Sequence, residues 1–262
     1  MFYKESEFDY FCNYMSPYVK HFRENEIGII EFGNAKGNSL PKNLLEQIDY
    51  ELKTLNSDSS VKVILLKSEL SKAFCGGASF EELKQLKSEK EAIDFFMGFA
   101  NIINTIRKLD KFIVIRVHGK VVGGGVGIVA ACDYAIANQH AFVKLSELSI
   151  GIGPFVIEPA ISRKIGRTGF NQLSLDSESW KSPKWLYEKG LYNLIVDSNE
   201  TLDLEIEECL KRFSNYSYIA SKNLRKLHWK ETKHWETLLS KNAKITASLL
   251  LKKDAQKILK TM

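Results

Sequence analysis

Three short segments of this 262-residue chain combine glycine with groups that can bind an anion or carry a proton. Segment 72–80 (KAFCGGASF) has small residues that let a backbone approach a ligand closely. Segment 118–127 (HGKVVGGGVG) precedes an apolar stretch, so N–H groups at a helix start could face a developing negative charge. Segment 145–154 (LSELSIGIGP) sets Glu147 among apolar residues, where a raised pKa would suit proton transfer near neutral pH.

Each segment, taken alone, also fits a structural role: a tight strand-to-helix turn, a glycine-rich connection and an exposed loop glutamate. The glycine run reads GxGxG rather than GxGxxG, and the chain has no GKS or GKT, so dinucleotide and Walker-type phosphate loops are excluded. The five histidines show no metal-ligand spacing, and we expect no metal site. The chemistry therefore depends on the three segments acting together.

The elements that would position these segments alternate between strand and helix. Apolar runs predict strands at 27–32, 61–66 and 112–117, with shorter ones at 134–137 and 141–143, and helical spacing predicts helices at 40–55, 92–109 and 126–131. Alternation of this kind predicts an α/β fold with a mainly parallel sheet. After Leu202 the pattern is almost wholly helical. We therefore divide the chain into a core, 1–200, and a helical region for subunit contacts, 201–262.

Composition is that of a globular protein, with 44% hydrophobic and 26% charged residues. The longest nearly apolar stretch, Val121–Ala137, is interrupted by Asp133 and is too short to cross a membrane. The first 22 residues lack the pattern of a signal peptide, and the four cysteines are scattered, so we expect a cytoplasmic protein with reduced thiols.

Charge is distributed unevenly along the chain. The segment Lys222–Met262 holds 11 Lys and Arg against 3 Asp and Glu, a balance of +8, whereas the rest of the chain has a balance of −3. Such a segment could meet RNA, an anionic surface or an anionic small ligand. A solvated helix face also explains this excess of positive charge, and the charges by themselves favour that interpretation.

Taken in order, the motifs resemble the crotonase superfamily, the enoyl-CoA hydratase/isomerase family, from about residue 26 to 166. The matching pieces are Asn38-Ser39-Leu40, Phe74-Cys75-Gly76-Gly77-Ala78, Gly123-Gly124-Gly125 followed by Ala131-Cys132-Asp133, and Glu147 followed by Gly151 and Pro154. The resemblance implies an α/β crotonase-like spiral of ββα units with a helical C-terminal region that packs into homotrimers or hexamers. It implies neither a membrane nor a nucleic-acid partner.

The resemblance also implies an acyl-CoA thioester substrate, with coenzyme A entering as part of that substrate and no separate cofactor. The N–H groups of Ala78 and Gly124 would form an oxyanion hole, and Glu147 would be the acid/base. Losing one such donor costs roughly 2.7–4 kcal/mol. The substrate-binding residues implied are Lys72, Phe74, Cys75, Gly76, Gly77, Ala78, Phe80, Gly123 and Gly124.

One departure from the family pattern bears on the reaction. Hydratases of the family carry a second glutamate three residues beyond the oxyanion glycine, and this chain has Gly127 there. Isomerases keep only the carboxylate that matches Glu147, so the pattern favours an enoyl-CoA isomerase. The alternatives are a hydratase whose second carboxylate is Glu158, and a CoA- or RNA-binding protein without catalysis. We also expect Gly127→Glu to raise hydration, because position 127 would face the same ligand as Gly124.

Overall fold

The computed structural model describes residues 16–69 and 73–261. The strands are β1 (Tyr18–Glu24), β2 (Ile27–Gly33), β3 (Val63–Ser68), β4 (Ala73–Cys75), β5 (Phe112–Val117), β6 (Lys120–Val122), β7 (Tyr134–Asn138), β8 (Val143–Lys144) and β9 (Leu194–Val196). The helices are α1 (Lys42–Ser57), α2 (Phe80–Gln85), α3 (Glu89–Lys108), α4 (Gly124–Ala131), α5 (Glu158–Leu175), α6 (Pro183–Glu188), α7 (Asn199–Ser214), α8 (Tyr218–His228), α9 (Trp235–Leu250) and α10 (Lys253–Thr261).

The larger sheet has the strand order β1-β2-β3-β5-β7-β9. β1 pairs antiparallel with β2, and each later strand pairs parallel with its neighbour. Parallel strands need crossover connections, and the helices that provide them cover the sheet. All six residues of β5 are accordingly buried. The predicted α/β class with a mainly parallel sheet is confirmed.

The smaller sheet has the order β4-β6-β8, and its strands are parallel. Because the strands run in the same direction, their carboxyl ends meet at one edge. β4 leads into Gly76–Ala78, β6 into Gly123, and β8 into Glu147. The topology of this sheet therefore brings together the three segments that the sequence separates by about 20 to 45 residues.

The helices after residue 200 pack extensively on their own chain. α7 covers one face of the larger sheet through Leu202, Ile206, Cys209 and Leu210. α9 lies along α3, and its buried side chains include Leu239, Ala243, Ala247 and Leu250. Most apolar residues for which the sequence predicted a partner subunit are thus covered within the chain. The division at 200/201 falls in the first turn of α7 and stays a prediction.

No helix within residues 16–69 and 73–261 is long and apolar enough to cross a membrane. Over the same residues, no three His, Cys, Asp or Glu side chains lie together in a way that could hold a metal ion.

Candidate active site

The three turns at the edge of the smaller sheet line one cavity. Seven residues that the sequence singled out are among those that line it: Gly76, Gly77, Ala78, Phe80, Gly123, Gly124 and Glu147. The first two turns touch, since a Cβ added to Gly77 would lie 2.8 Å from the carbonyl oxygen of Val122 and 3.7 Å from the nitrogen of Gly124. Gly77 also has a positive φ of 81°. Glycine is therefore required there by backbone conformation and by close approach.

The N–H groups of Ala78 and Gly124 are the candidate oxyanion donors. A parallel bridge joins Leu40 to Ala78, in which Leu40 bonds to the carbonyl of Gly77 and the N–H of Ser79. The bridge therefore leaves the N–H of Ala78 unused. Gly124 is the first residue of α4, where N–H groups have no partner inside the helix. Among the described residues neither N–H donates a hydrogen bond, and both residues line the cavity.

Glu147 lies directly over the second turn. A Cβ added to Gly123, whose φ is 52°, would lie 2.8 Å from Oε1 of Glu147. The other carboxylate oxygen, Oε2, is shielded from solvent and accepts no hydrogen bond within the described part of the chain. Burial disfavours the charged form and raises the pKa of Glu147 to about 7. The group is thus poised to take and return a proton near neutral pH.

The rest of the cavity wall is mostly apolar. The lining residues not singled out by the sequence include Leu83, Phe96, Phe99, Ile150, Ile152, Val156, Ile157 and Thr246. Two of them, Phe96 and Phe99, lie one turn apart on α3, within an aromatic cluster that helical spacing alone assigns to the core. Thr246 comes from α9, so the C-terminal region contributes to the cavity of its own chain. No sequence motif marks these positions, because apolar residues of a ligand cavity and of a core look alike.

Three candidate residues within the described part of the chain are not among those that line the cavity. Phe74 is 1% exposed and packs edge-on against Phe32 and His118. Cys75 is fully buried, and desolvation raises the pKa of its thiol to about 12, which suits packing rather than nucleophilic attack.

Glu158 is the third of these residues. Glu158 begins α5, and its Oε1 accepts a hydrogen bond of 2.6 Å from Ser162. Glu158 is not among the residues that line the cavity. Lys72 lies outside the described residues.

The surroundings of Gly127 contradict the expectation for a side chain introduced at that position. A Cβ added to Gly127 would overlap Cγ2 of Ile157 and lie 2.6 Å from its Cβ. Gly127 does not line the cavity, whereas Ile157 does. The expectation that a side chain at position 127 would face the same ligand as Gly124 is therefore wrong for this chain, because Ile157 occupies the intervening space.

Solved structures share this fold. The crystal structure of an enoyl-CoA hydratase from Bacillus halodurans superposes with a TM-score of 0.87 at 20% identity, over 94% of this chain and 100% of the other. An enoyl-CoA hydratase from Bacillus anthracis superposes with a TM-score of 0.75 at 21% identity, over 87% and 88% of the two chains. The crotonase-like fold that the motifs implied is confirmed.

Sequence relatives agree with the fold. The chain is 27% identical over 195 residues to a short-chain-enoyl-CoA hydratase of Clostridium acetobutylicum, covering 74% of each protein. It is 33% identical over 139 residues to the mitochondrial methylglutaconyl-CoA hydratase of Mus musculus, where the match covers 52% of this chain and only 44% of the relative. The family model for enoyl-CoA hydratase/isomerase matches residues 23–261, and the chain belongs to this family.

Proposed function

We propose that this protein moves a proton along the acyl chain of an enoyl-CoA, as an enoyl-CoA isomerase. The observation that carries the proposal is the environment of Glu147. It is the only Asp, Glu, His or Lys side chain among the described residues that line the cavity, and it sits over the turn that begins α4. Proton transfer between two carbons of one substrate needs a single group of this kind.

The two amides and the carboxylate support the following course for the proposed reaction. With the thioester oxygen of a 3-enoyl-CoA at the N–H groups of Ala78 and Gly124, the carboxylate of Glu147 takes a proton from C2. The electrons pass to the thioester oxygen, where the two N–H groups and the start of α4 stabilise the negative charge. The dienolate then takes the same proton back at C4, which leaves a double bond between C2 and C3.

The raised pKa of Glu147 supports both halves of this cycle. A carboxyl with a pKa of about 7 is partly ionised at neutral pH, so it can accept a proton. Once protonated, it is a weak enough acid to keep the proton until C4 is in position, and a strong enough one to release it. The apolar wall helps, because a dry surrounding keeps the pKa high.

The test follows isomerisation of a 3-enoyl-CoA and hydration of a 2-enoyl-CoA of the same chain length. We expect isomerisation to be much the faster reaction and Glu147→Gln to reduce it by a factor on the order of 10²–10⁴. The matched control is Glu158→Gln, which removes a carboxylate outside the cavity and should leave isomerisation unchanged. Robust hydration that is lost in Glu158→Gln, with little isomerisation, would refute the proposal in favour of a hydratase.

A further inference from the structure

Ile157 lies between Gly127 of helix α4 and the cavity. Its side chain lines the cavity and is 3% exposed. On its other side it fills the space above Gly127, where an added Cβ would overlap Cγ2 of Ile157. Ile103 of α3 stands 3.5 Å from the same point. A side chain at position 127 and Ile157 in its present place therefore exclude each other.

The segment that carries Ile157 is held at several points. The N–H of Glu158 donates to the carbonyl of Pro154 at 3.0 Å, and the N–H of Ile161 donates to the carbonyl of Ile157 at 3.1 Å. The amide of Asn242 on α9 donates to the carbonyl of Phe155 at 2.7 Å. Backbone bonds on both sides thus fix Ile157, and the C-terminal helices reinforce the position.

We propose that Ile157 determines which reaction the cavity supports, by filling the space through which water and a second acid–base group would reach the acyl carbons beyond C2. This inference rests on the proposed function. With the thioester oxygen at the two amides and C2 at Glu147, the later carbons must lie against the apolar wall that includes Ile157. A buried water needs two to four polar partners. Apart from Glu147, the only polar side chains among the described residues that line the cavity are Ser146 and Thr246, and the Thr246 hydroxyl donates to the carbonyl of Asn242.

The experiment exchanges the two positions together. Gly127→Glu alone should lower both the melting temperature and the isomerisation rate, because the new side chain collides with Ile157. Adding Ile157→Gly should restore much of the melting temperature. It should also raise hydration of a 2-enoyl-CoA by about 100-fold over Gly127→Glu alone. In that reaction the water oxygen bonds to C3, one water proton passes to the carboxylate introduced at position 127, and Glu147 delivers its proton to C2.

Two controls separate the proposal from general effects on folding. The double variant Gly127→Gln with Ile157→Gly has nearly the same shape but no titrating group at position 127, so it should recover the melting temperature without the hydration. Ile161→Ala removes the same atoms as Ile157→Ala one turn further along α5, away from the cavity. Only Ile157→Ala should raise the ratio of hydration to isomerisation.

Three results would overturn the inference. The first is a change in melting temperature of the Gly127→Glu, Ile157→Gly variant that equals the sum of the changes in the two single variants. The second is hydration in this variant no greater than in the Gly127→Gln, Ile157→Gly control. The third is an equal ratio of hydration to isomerisation in Ile157→Ala and Ile161→Ala. If Glu147→Gln still abolishes isomerisation in those cases, the proposed function stands and only the role of Ile157 fails. If the wild-type protein does not isomerise but the exchanged variant gains hydration, the proposed function fails and the role of Ile157 stands.

Discussion

Two partly buried carboxylates, Asp133 and Glu147, lie 14 residues apart and have opposite surroundings. Oδ2 of Asp133 accepts hydrogen bonds from the N–H of Ile113 and from Nε of Arg225, both at 2.8 Å. The side chains of the Asp133–Arg225 pair are only 8% and 1% exposed. Glu147, in contrast, keeps one shielded oxygen that accepts no hydrogen bond from the described residues. The two groups are similar in chemistry and differ in partners.

The difference indicates that Asp133 holds the fold together, whereas the Glu147 carboxyl is left available in the cavity. Arg225 also donates to the carbonyls of Leu109 and Ile106 at the end of α3, so the Asp133 pair ties α3, β5 and α8 together. An unpaired carboxyl lowers stability when it ionises, and that cost is what raises the pKa of Glu147.

The largest expected effect comes from breaking the Asp133 pair. Arg225→Met should lower the free energy of unfolding by about 3–5 kcal/mol, because it leaves the Asp133 carboxylate without its cation and two carbonyls without their donor. Urea unfolding measures the change. The matched control is Lys222→Met on the same helix, whose partner Asp110 is 2.7 Å away but part-exposed. That variant should change stability little, and a loss as large as that of Arg225→Met would show that the helix, rather than the buried pair, matters.

A second prediction concerns the pH dependence that Glu147 imposes on stability. The pKa of Glu147 is about 7 in the folded protein, against an ordinary value of 4.5. The folded state therefore binds the proton more tightly than the unfolded state. Its stabilising effect is fully present below about pH 4.5 and is lost as the pH rises through 7. Glu147→Gln removes this dependence and should stabilise the protein by about 2–3 kcal/mol at pH 8 relative to its effect at pH 4.

Chemical denaturation at the two pH values tests this prediction. Glu158→Gln is the control, since the Glu158 carboxylate bonds to Ser162 outside the cavity. If the Glu147→Gln variant differs in stability from the wild type by the same amount at pH 4 and pH 8, Glu147 titrates normally and burial does not raise its pKa.

The sequence predicted the surroundings of Glu147 better than those of Asp133. The glycine segments and Glu147 were recognisable because the proposed anion-binding turn and proton carrier need particular residue types. The parallel order of β4, β6 and β8 then brings those segments to one sheet edge. The partner of Asp133 was not predictable, because Arg225 is 92 residues away and looks like one more cation in a basic segment. The position of Ile157 was not predictable either, because the sequence does not show which apolar side chain fills the space above Gly127.

The strand pattern shows the same limit. Strands 27–32 and 112–117 were predicted from continuous apolar runs and are present as β2 and β5. β1, an edge strand with the sequence YVKHFRE, has four charged or histidine side chains and no apolar run. Its pairing with β2 is therefore decided by tertiary contacts rather than by local sequence.

A third prediction tests whether activity depends on the position of the Glu147 carboxylate. Gly123→Ala should cost about 1–2 kcal/mol, because the residue has a positive φ. It should also reduce activity, since the added Cβ would lie 2.8 Å from Oε1 of Glu147. Gly166→Ala is the matched control: its φ of 72° carries similar strain, but nothing lies within 4 Å of the added Cβ. Equal losses of activity in the two variants would show that strain, rather than displacement of Glu147, is responsible.

The smallest expected effect on the single chain concerns the outer side of α8, the helix that supplies Arg225. Ile219, Leu224 and Leu227 on this helix are 71%, 46% and 58% exposed. Apolar side chains clustered in this way are typical of a subunit contact, so we expect sedimentation to give a multiple of 29.9 kDa. Ile219→Lys with Leu227→Lys should change the intrinsic stability of the chain by less than about 0.5 kcal/mol per site, yet reduce the mass in solution.

If a second copy also holds α8 in place, the loss of stability in Arg225→Met will shrink as protein concentration rises. A wild-type protein that sediments near 29.9 kDa, with a concentration-independent loss in Arg225→Met, would mean that α8 is held by the Asp133 pair and the rest of its own chain alone.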